Sequence, residues 1–227
     1  MYQLALKIVR VAFRRLDYHY SGIENVPHTQ GAILAINHVS NIDPVMVGLA
    51  GALNGFEFHF MAKEELFRVP ILAQIIKSMG TVKVRRQAPN VADVLMDVNQ
   101  ALREGEKIAI YPEGTHTKDP DGWPMRFKTG AARMALETGL PLIPVAQWGA
   151  HRVMPRGSAI IHLWKRNRVD VMFMEPVDVS DVMSAGGAED REAVEIVTRR
   201  LEQAVVAGVE QLRGKTAPLE RFDPRRR

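Results

Sequence analysis

The sequence predicts an α/β fold with a mostly parallel central sheet flanked by helices. Three observations carry that expectation. Short apolar runs of strand length, GAILAI at Gly31 to Ile36 and KIAIY at Lys107 to Tyr111, recur along the chain. Segments of helical period alternate with them, which is the order of a parallel α/β sheet. Two polar motifs, NHVSNID and YPEGTHT, each follow a strand candidate. Sites in such sheets gather at the carboxyl ends of the strands.

The elements follow in order. Residues 1–15, MYQLALKIVRVAFRR, wind into an amphipathic helix. Gln3, Lys7, Arg10 and Arg14 fall on one side, and Leu4, Ile8, Val9, Val11, Ala12, Phe13 and Leu16 spread over a broad opposite arc. Such a helix either lies at a membrane interface among the headgroups or packs on its own domain. Gly31 to Ile36 is a buried strand. Pro44 to Leu53 is a helix stopped by Asn54-Gly55, and Phe56 to Ala62 alternates as a strand does. Ile71 to Met79 reads as a helix ending at Gly80, with a strand at Thr81 to Arg85. Val91 to Arg103 is a periodic helix with Val91, Val94, Leu95, Val98 and Leu102 on one face. Lys107 to Tyr111 is a strand, and Thr129 to Thr138 a helix closed by Gly139. Strands at Leu142 to Ala146 and Val169 to Met174 precede a long charge-rich helix, Glu189 to Leu212. The chain is expected to divide into an amphipathic helix for membrane association (1–20), one large domain (21–213) and a basic mobile tail (214–227) ending in RFDPRRR.

Composition narrows the chemistry. The 227 residues are 46% apolar, enough for a substantial core. There is no cysteine, so disulfides, thiolate metal sites and a Cys nucleophile are excluded. The net charge of +4 suits an anionic partner: phosphate groups, nucleic acid or an acidic membrane surface. The basic residues are scattered and no nucleic-acid recognition motif accompanies them. No run of 18 apolar residues suggests a transmembrane helix, and no cleavable signal peptide is evident. Walker, Rossmann, G-x-S-x-G and H-E-x-x-H patterns are all missing, and the histidines lack metal-ligand spacing.

His38 and Asp43, five positions apart in NHVSNIDP, admit two readings. A carboxylate on one imidazole nitrogen fixes the tautomer and stabilises the imidazolium, making the other nitrogen a general base. Alternatively, Asp43 before Pro44 is a helix N-cap, and Ser40 with Asp43 matches a capping box. In YPEGTHT a strand ends, Glu113 offers a carboxylate to a polyol, and Gly114 lets backbone approach a ligand. Lys118, Arg126 and Lys128 follow as candidate phosphate partners. The other reading of this segment is an ordinary glycine-containing loop with solvated charges.

Four segments complete a pattern. NHVSNID resembles the N-H-x-S-x-x-D block of the glycerolipid acyltransferases. KEELFRVP followed by Gly80 is similar to their second block, YPEGTHT to F-P-E-G-T-R-S, and LIPVAQWG to V-P-V-x-x-x-G. The order and spacing hold over roughly residues 22–180. By this resemblance the chain is identified as a member of the 1-acyl-sn-glycerol-3-phosphate acyltransferase family.

The resemblance implies transfer of a fatty acyl group from acyl-CoA or acyl carrier protein to the free hydroxyl of a lysophospholipid, lysophosphatidic acid first among them. It implies His38 as general base and Asp43 as its orienting partner. It also implies Glu113, Gly114, Thr115 and His116 as the acceptor-binding block, with Arg68, Lys118, Arg126 and Lys128 as further phosphate-binding candidates. The donor is already activated, so neither a cofactor, a metal nor a protein nucleophile is expected. The implied location is the cytoplasmic side of the cell membrane, with peripheral or monotopic attachment to an anionic surface. His116 stands where the family carries arginine, and a neutral imidazole does not reproduce a guanidinium fork. Another lysolipid or glycolipid acceptor is therefore the enzyme alternative. A catalytically silent membrane-binding protein is the non-enzyme one.

Overall fold

The computed structural model describes residues 16–60, 91–158, 160–162, 166–183 and 186–222. The expected N-terminal helix, the helix at Ile71 to Met79 and the strand at Thr81 to Arg85 lie outside these residues, as does Arg68. Six strands form one sheet: β1 (Asp17–Ser21), β2 (Ala32–Ile36), β3 (Phe58–Phe60), β4 (Lys107–Ile110), β5 (Leu142–Trp148) and β6 (Arg168–Phe173). Their spatial order is β1-β6-β5-β2-β4-β3. Strand β2 pairs in parallel with both β4 and β5, and β3 pairs in parallel with β4. Between β5 and β6 the direction reverses, and β1 runs parallel to β6. The expected mostly parallel sheet is therefore present. Because β1 and β6 are reversed, their first residues, Asp17 and Arg168, sit at the edge where β2, β4 and β5 end.

Strand β1 was not anticipated from sequence. Its residues, DYHYS, are almost all exposed and show no apolar alternation. Its partner lies about 150 residues further along the chain, as in Asp17 opposite Arg168. An edge strand of this kind is specified by its neighbour more than by its own period.

Strand β2 divides the core. Successive side chains point to opposite faces of a strand, so Leu34 and Ile36 join one apolar cluster and Ile33 and Ala35 another. The first cluster holds helix α1 (Asp43–Leu53) through Val45, Met46, Leu49 and Ala50. On the other face lie helices α2 (Val91–Arg103), α3 (Gly130–Thr138) and α5 (Arg191–Arg213). A short helix, α4 (Ala150–Val153), follows β5. Helix α5 starts two residues later than expected. Asp190 caps it, its side chain accepting Ala193 N–H at 3.1 Å.

The end of α5 is fastened to the sheet. The Arg213 guanidinium lies 3.7 Å from the Trp123 ring centroid and 4.1 Å from that of Trp148, a doubled cation–π contact. Beyond it, Ala217 is buried beside Val206 and Val209, and its N–H donates to Glu210 Oε1 at 2.7 Å. The first residues of the expected tail, from 214, thus fold back on the helix, and residues 223–227 lie outside the described residues.

Close approach of α5 to the sheet requires Gly208. A Cβ there would lie 2.7 Å from Ala146 Cβ and 2.7 Å from Met174 Sδ. Gly208→Val is expected to cost about 1–3 kcal/mol by overpacking. The thermal midpoint should fall by roughly 2–4 °C per kcal/mol, measured by calorimetry.

Candidate active site

The site begins where β2 runs out. The Asn37 side chain continues the sheet by other means: its Nδ2 donates to Gln147 O at 3.0 Å and its Oδ1 accepts Gln147 N–H at 2.8 Å. Gln147 Nε2 returns a bond to Asn37 O at 2.9 Å. Both residues are fully buried. This amide pair locks the ends of β2 and β5 together and delivers His38 at the strand terminus.

Asp43 Oδ2 lies 2.8 Å from His38 Nδ1. The same oxygen accepts the backbone N–H of Val39 at 2.7 Å and of Ser40 at 2.8 Å. An oxygen that already receives two N–H groups is an acceptor, so Nδ1 carries the imidazole proton and Nε2 keeps its lone pair. Burial pushes the Asp43 carboxyl above its ordinary range, and the bonds from His38, Ser40 and Val39 pull it back. The capping reading does not hold: Ile42 occupies the N-cap position and no side chain caps the helix. Asp43 is the first residue of α1, ahead of Pro44, and its side chain reaches back to the loop N–H groups of Val39 and Ser40. Ser40 Oγ donates to Met154 O at 2.6 Å and accepts Ile42 N–H at 3.3 Å, so it leaves Asp43 N–H alone. The Asp43 carboxylate therefore shapes the loop and orients the histidine.

The YPEGTHT loop after β4 wraps His38. Glu113 Oε1 accepts His38 N–H at 2.8 Å, Glu113 Oε2 accepts Met125 N–H at 2.9 Å, and His38 O accepts Thr117 N–H at 2.8 Å. Glu113 is buried, and that burial pushes its carboxyl up to about 8 against the pull of its two donors. Its two oxygens clasp the backbone at His38 and Met125, and its carboxyl is buried away from solvent. Gly114 turns at φ 74°, and a Cβ there would strike the Lys128 side chain, 2.5 Å from Nζ. Thr115 is exposed.

Two aromatic rings pack against His38. Tyr111 lies 4.1 Å from the His38 ring centroid at 21°, and His116 lies 4.0 Å from it on a 41° tilt. Desolvation, with the nearby His38 and Arg156, lowers the His116 pKa to about 4. His116 is therefore neutral at pH 7, and its Nε2 is buried without a partner among the described residues.

The phosphate candidates separate. Lys128 stays with the loop, across Gly114. Lys118 is exposed, with its N–H on Met125 Sδ at 3.2 Å. Arg126 faces the other way, lining a groove with Arg199 and Glu202 of α5. Sequence reasoning missed Gln147, Tyr111 and Arg156. Tyr111 opens the YPEGTHT segment and Gln147 lies in LIPVAQWG, so both were within reach. Arg156 Nη1 donates to Thr117 O, a contact spanning 39 residues that no local pattern announces. Among the described residues no cluster of three or more His, Asp or Glu is disposed to hold a metal ion, and no helix is long and apolar enough to cross a membrane.

His116 gives a pH dependence with a definite sign. The unfolded histidine takes up its proton near 6.5 and the folded one near 4, so the unfolded state binds more protons in between. The stability this contributes is fully present above pH 6.5 and is lost as pH falls toward 4. Urea unfolding of wild type and His116→Phe across that window should give a difference curve that shrinks on acidification. A flat difference would contradict the burial of a neutral imidazole.

The Acyltransferase family model matches residues 17–148. The chloroplastic 1-acyl-sn-glycerol-3-phosphate acyltransferase LPAT1 of Arabidopsis thaliana is 32% identical over 158 residues, 69% of this chain and 42% of the relative. The 1-acyl-sn-glycerol-3-phosphate acyltransferase of Bacillus subtilis is 27% identical over 158 residues, 70% of this chain and 72% of the relative. Among solved structures, the 1-acyl-sn-glycerophosphate (LPA) acyltransferase PlsC from Thermotoga maritima superposes with a TM-score of 0.69 at 27% identity. That match covers 96% of this chain and 81% of the other. The chain spans 42%, 39% and 51% of the lengths of three of the curated relatives it matches. The matched region takes in the His38–Asp43 pair, the Glu113 clasp and the Asn37–Gln147 lock, and on that match the chain belongs to the Acyltransferase family.

Proposed function

We propose that this protein transfers a fatty acyl group from a thioester, acyl-CoA or acyl carrier protein, to the free hydroxyl of lysophosphatidic acid, forming phosphatidic acid. The observation that carries the reading is the 2.8 Å contact between His38 Nδ1 and Asp43 Oδ2 in a buried setting. It leaves Nε2 as the one basic nitrogen of the ring. The names of the relatives, 1-acyl-sn-glycerol-3-phosphate acyltransferases, supply the substrate class.

The acceptor hydroxyl attacks the thioester carbonyl while His38 Nε2 takes its proton. The tetrahedral adduct collapses, the C–S bond breaks, and the imidazolium returns the proton to the departing thiolate. The products are an ester and a free thiol, with no acyl-enzyme between. Ser40 supports direct attack, since its hydroxyl donates to Met154 O and is not aimed at a substrate. Asp43 steadies the imidazolium as it forms. Within the acceptor block, Gly114, Thr115 and His116 contribute surface near the base, and Glu113 acts by holding the loop.

A second reading has one observation in its favour. A neutral His116 in the arginine position suits an acceptor with a different head group. A panel of lysophosphatidic acid, other lysolipids and monoacylglycerol, with product identification by mass spectrometry, separates the two. His38→Ala is expected to lower turnover by about 10²–10⁴-fold with an unchanged unfolding midpoint. Near-normal rates in the folded variant would remove His38 as the base.

Attachment to an anionic membrane surface through residues 1–16 completes the proposal, on the strength of their amphipathic pattern. Deleting them should weaken sedimentation with phosphatidylglycerol vesicles. Undiminished binding would assign the attachment elsewhere, and binding without turnover would favour the non-enzyme alternative.

A further inference from the structure

We propose that Arg156 binds the phosphate of the acceptor, in place of the arginine that the family's third block carries where this chain has His116. The proposal rests on the lysophosphatidic acid reading above and names the residue that makes the site specific for a phosphate.

Position 116 itself is disqualified by geometry. Its ring packs against His38 on a 41° tilt, 4.0 Å between centroids, with Nε2 buried. A neutral imidazole committed to that stack supplies neither the charge nor the paired donors of a guanidinium. The displaced function needs a cation close to the same loop. Arg126 is turned toward α5, and Lys128 lies along Gly114 as a single point charge.

Arg156 meets the requirement from a different segment. It occupies the second position of a tight turn, Pro155 to Ser158, closed by Ser158 N–H to Pro155 O at 3.0 Å. Gly157 takes φ 75° at the third position, as a type II turn demands. The turn is fastened to the catalytic loops at two points. Ser40 Oγ donates to Met154 O at 2.6 Å just ahead of it. The guanidinium donates from Nη1 to Thr117 O and lies with Nη2 3.5 Å from Asp119 O. Thr117 N–H in turn donates to His38 O. Two hydrogen bonds therefore connect the guanidinium to the backbone of the base.

These contacts are to main-chain carbonyls, so they orient the fork without neutralising it. Among the described residues no carboxylate pairs with Arg156, and its side chain is exposed. Five N–H donors on one planar group leave donors over for phosphate oxygens. The charge is felt at position 116, where it helps to keep His116 neutral. Stacking His116 on the base and moving the cation to a neighbouring turn are thus two sides of one rearrangement.

The test compares wild type, Arg156→Ala, Arg156→Lys and, as a nearby charge-removal control, Arg152→Ala. Each is assayed with lysophosphatidic acid and with monoacylglycerol, which lacks the phosphate. The expected result for Arg156→Ala is a rise of about tenfold or more in KM for lysophosphatidic acid. The ratio of kcat/KM between the two acceptors should fall by a similar factor. Arg156→Lys should recover part of that loss, and Arg152→Ala should move the ratio less than twofold. An unchanged KM in Arg156→Ala overturns the proposal while leaving the lysophosphatidic acid reading intact. Equal losses on both acceptors also overturn it, since they would make Arg156 a loop support. If wild type does not acylate lysophosphatidic acid, that reading fails, and calorimetric titration with glycerol 3-phosphate decides the site by itself. Binding by wild type that is lost in Arg156→Ala upholds it. Equal binding, or none by wild type, overturns it.

Discussion

Asp43 Oδ2 receives three N–H groups, from the His38 ring and from the backbone of Val39 and Ser40, all within 2.8 Å. Much of the site follows from that crowding. Two backbone donors curl the chain between β2 and α1 around the carboxylate. The third donor sets the tautomer, with the ring proton at Nδ1. A carboxylate so deeply buried survives as an acceptor only when its donors are supplied by the fold. The Glu113 clasp repeats the principle one loop away, with its two oxygens holding His38 N–H and Met125 N–H. Backbone geometry and acid–base chemistry thus share the same atoms.

This sharing explains what the sequence made legible. His38 and Asp43 are five residues apart, so one loop places both, and a linear motif can encode their meeting. The strands β2, β4 and β5 carry their own apolar runs and are equally local. Glu113 was read as a ligand group because its residue type suits a polyol. Only the fold reveals that both its oxygens reach partners 75 and 12 residues away. Strand β1 and Arg156 were beyond reach for the same reason. Each owes its role to a distant segment, β6 in one case and Thr117 in the other.

The ring stack around His38 shows how a motif tolerates change. In this chain the Tyr111 and His116 ring centroids lie 4.1 and 4.0 Å from that of His38. The rings help to bury the imidazole and leave its Nδ1 to Asp43. An arginine at position 116 would bring charge where this chain has apolar contact and a single donor. The block has therefore exchanged electrostatics for packing at one position while keeping the hydrogen-bonded frame that makes the block work.

The reversal between β5 and β6 also sets where the chain enters the domain. Since β1 runs with β6, Asp17 lies at the same edge of the sheet as His38. The described chain therefore enters the domain at this edge and not at the far side of the sheet. For a lipid acceptor that matters energetically, because drawing an acyl chain out of a bilayer costs about 0.8 kcal/mol per methylene. Under the proposed function, a site at that edge would meet a head group at the surface while the acyl chain stays in the bilayer, and the cost of extraction would not enter the barrier.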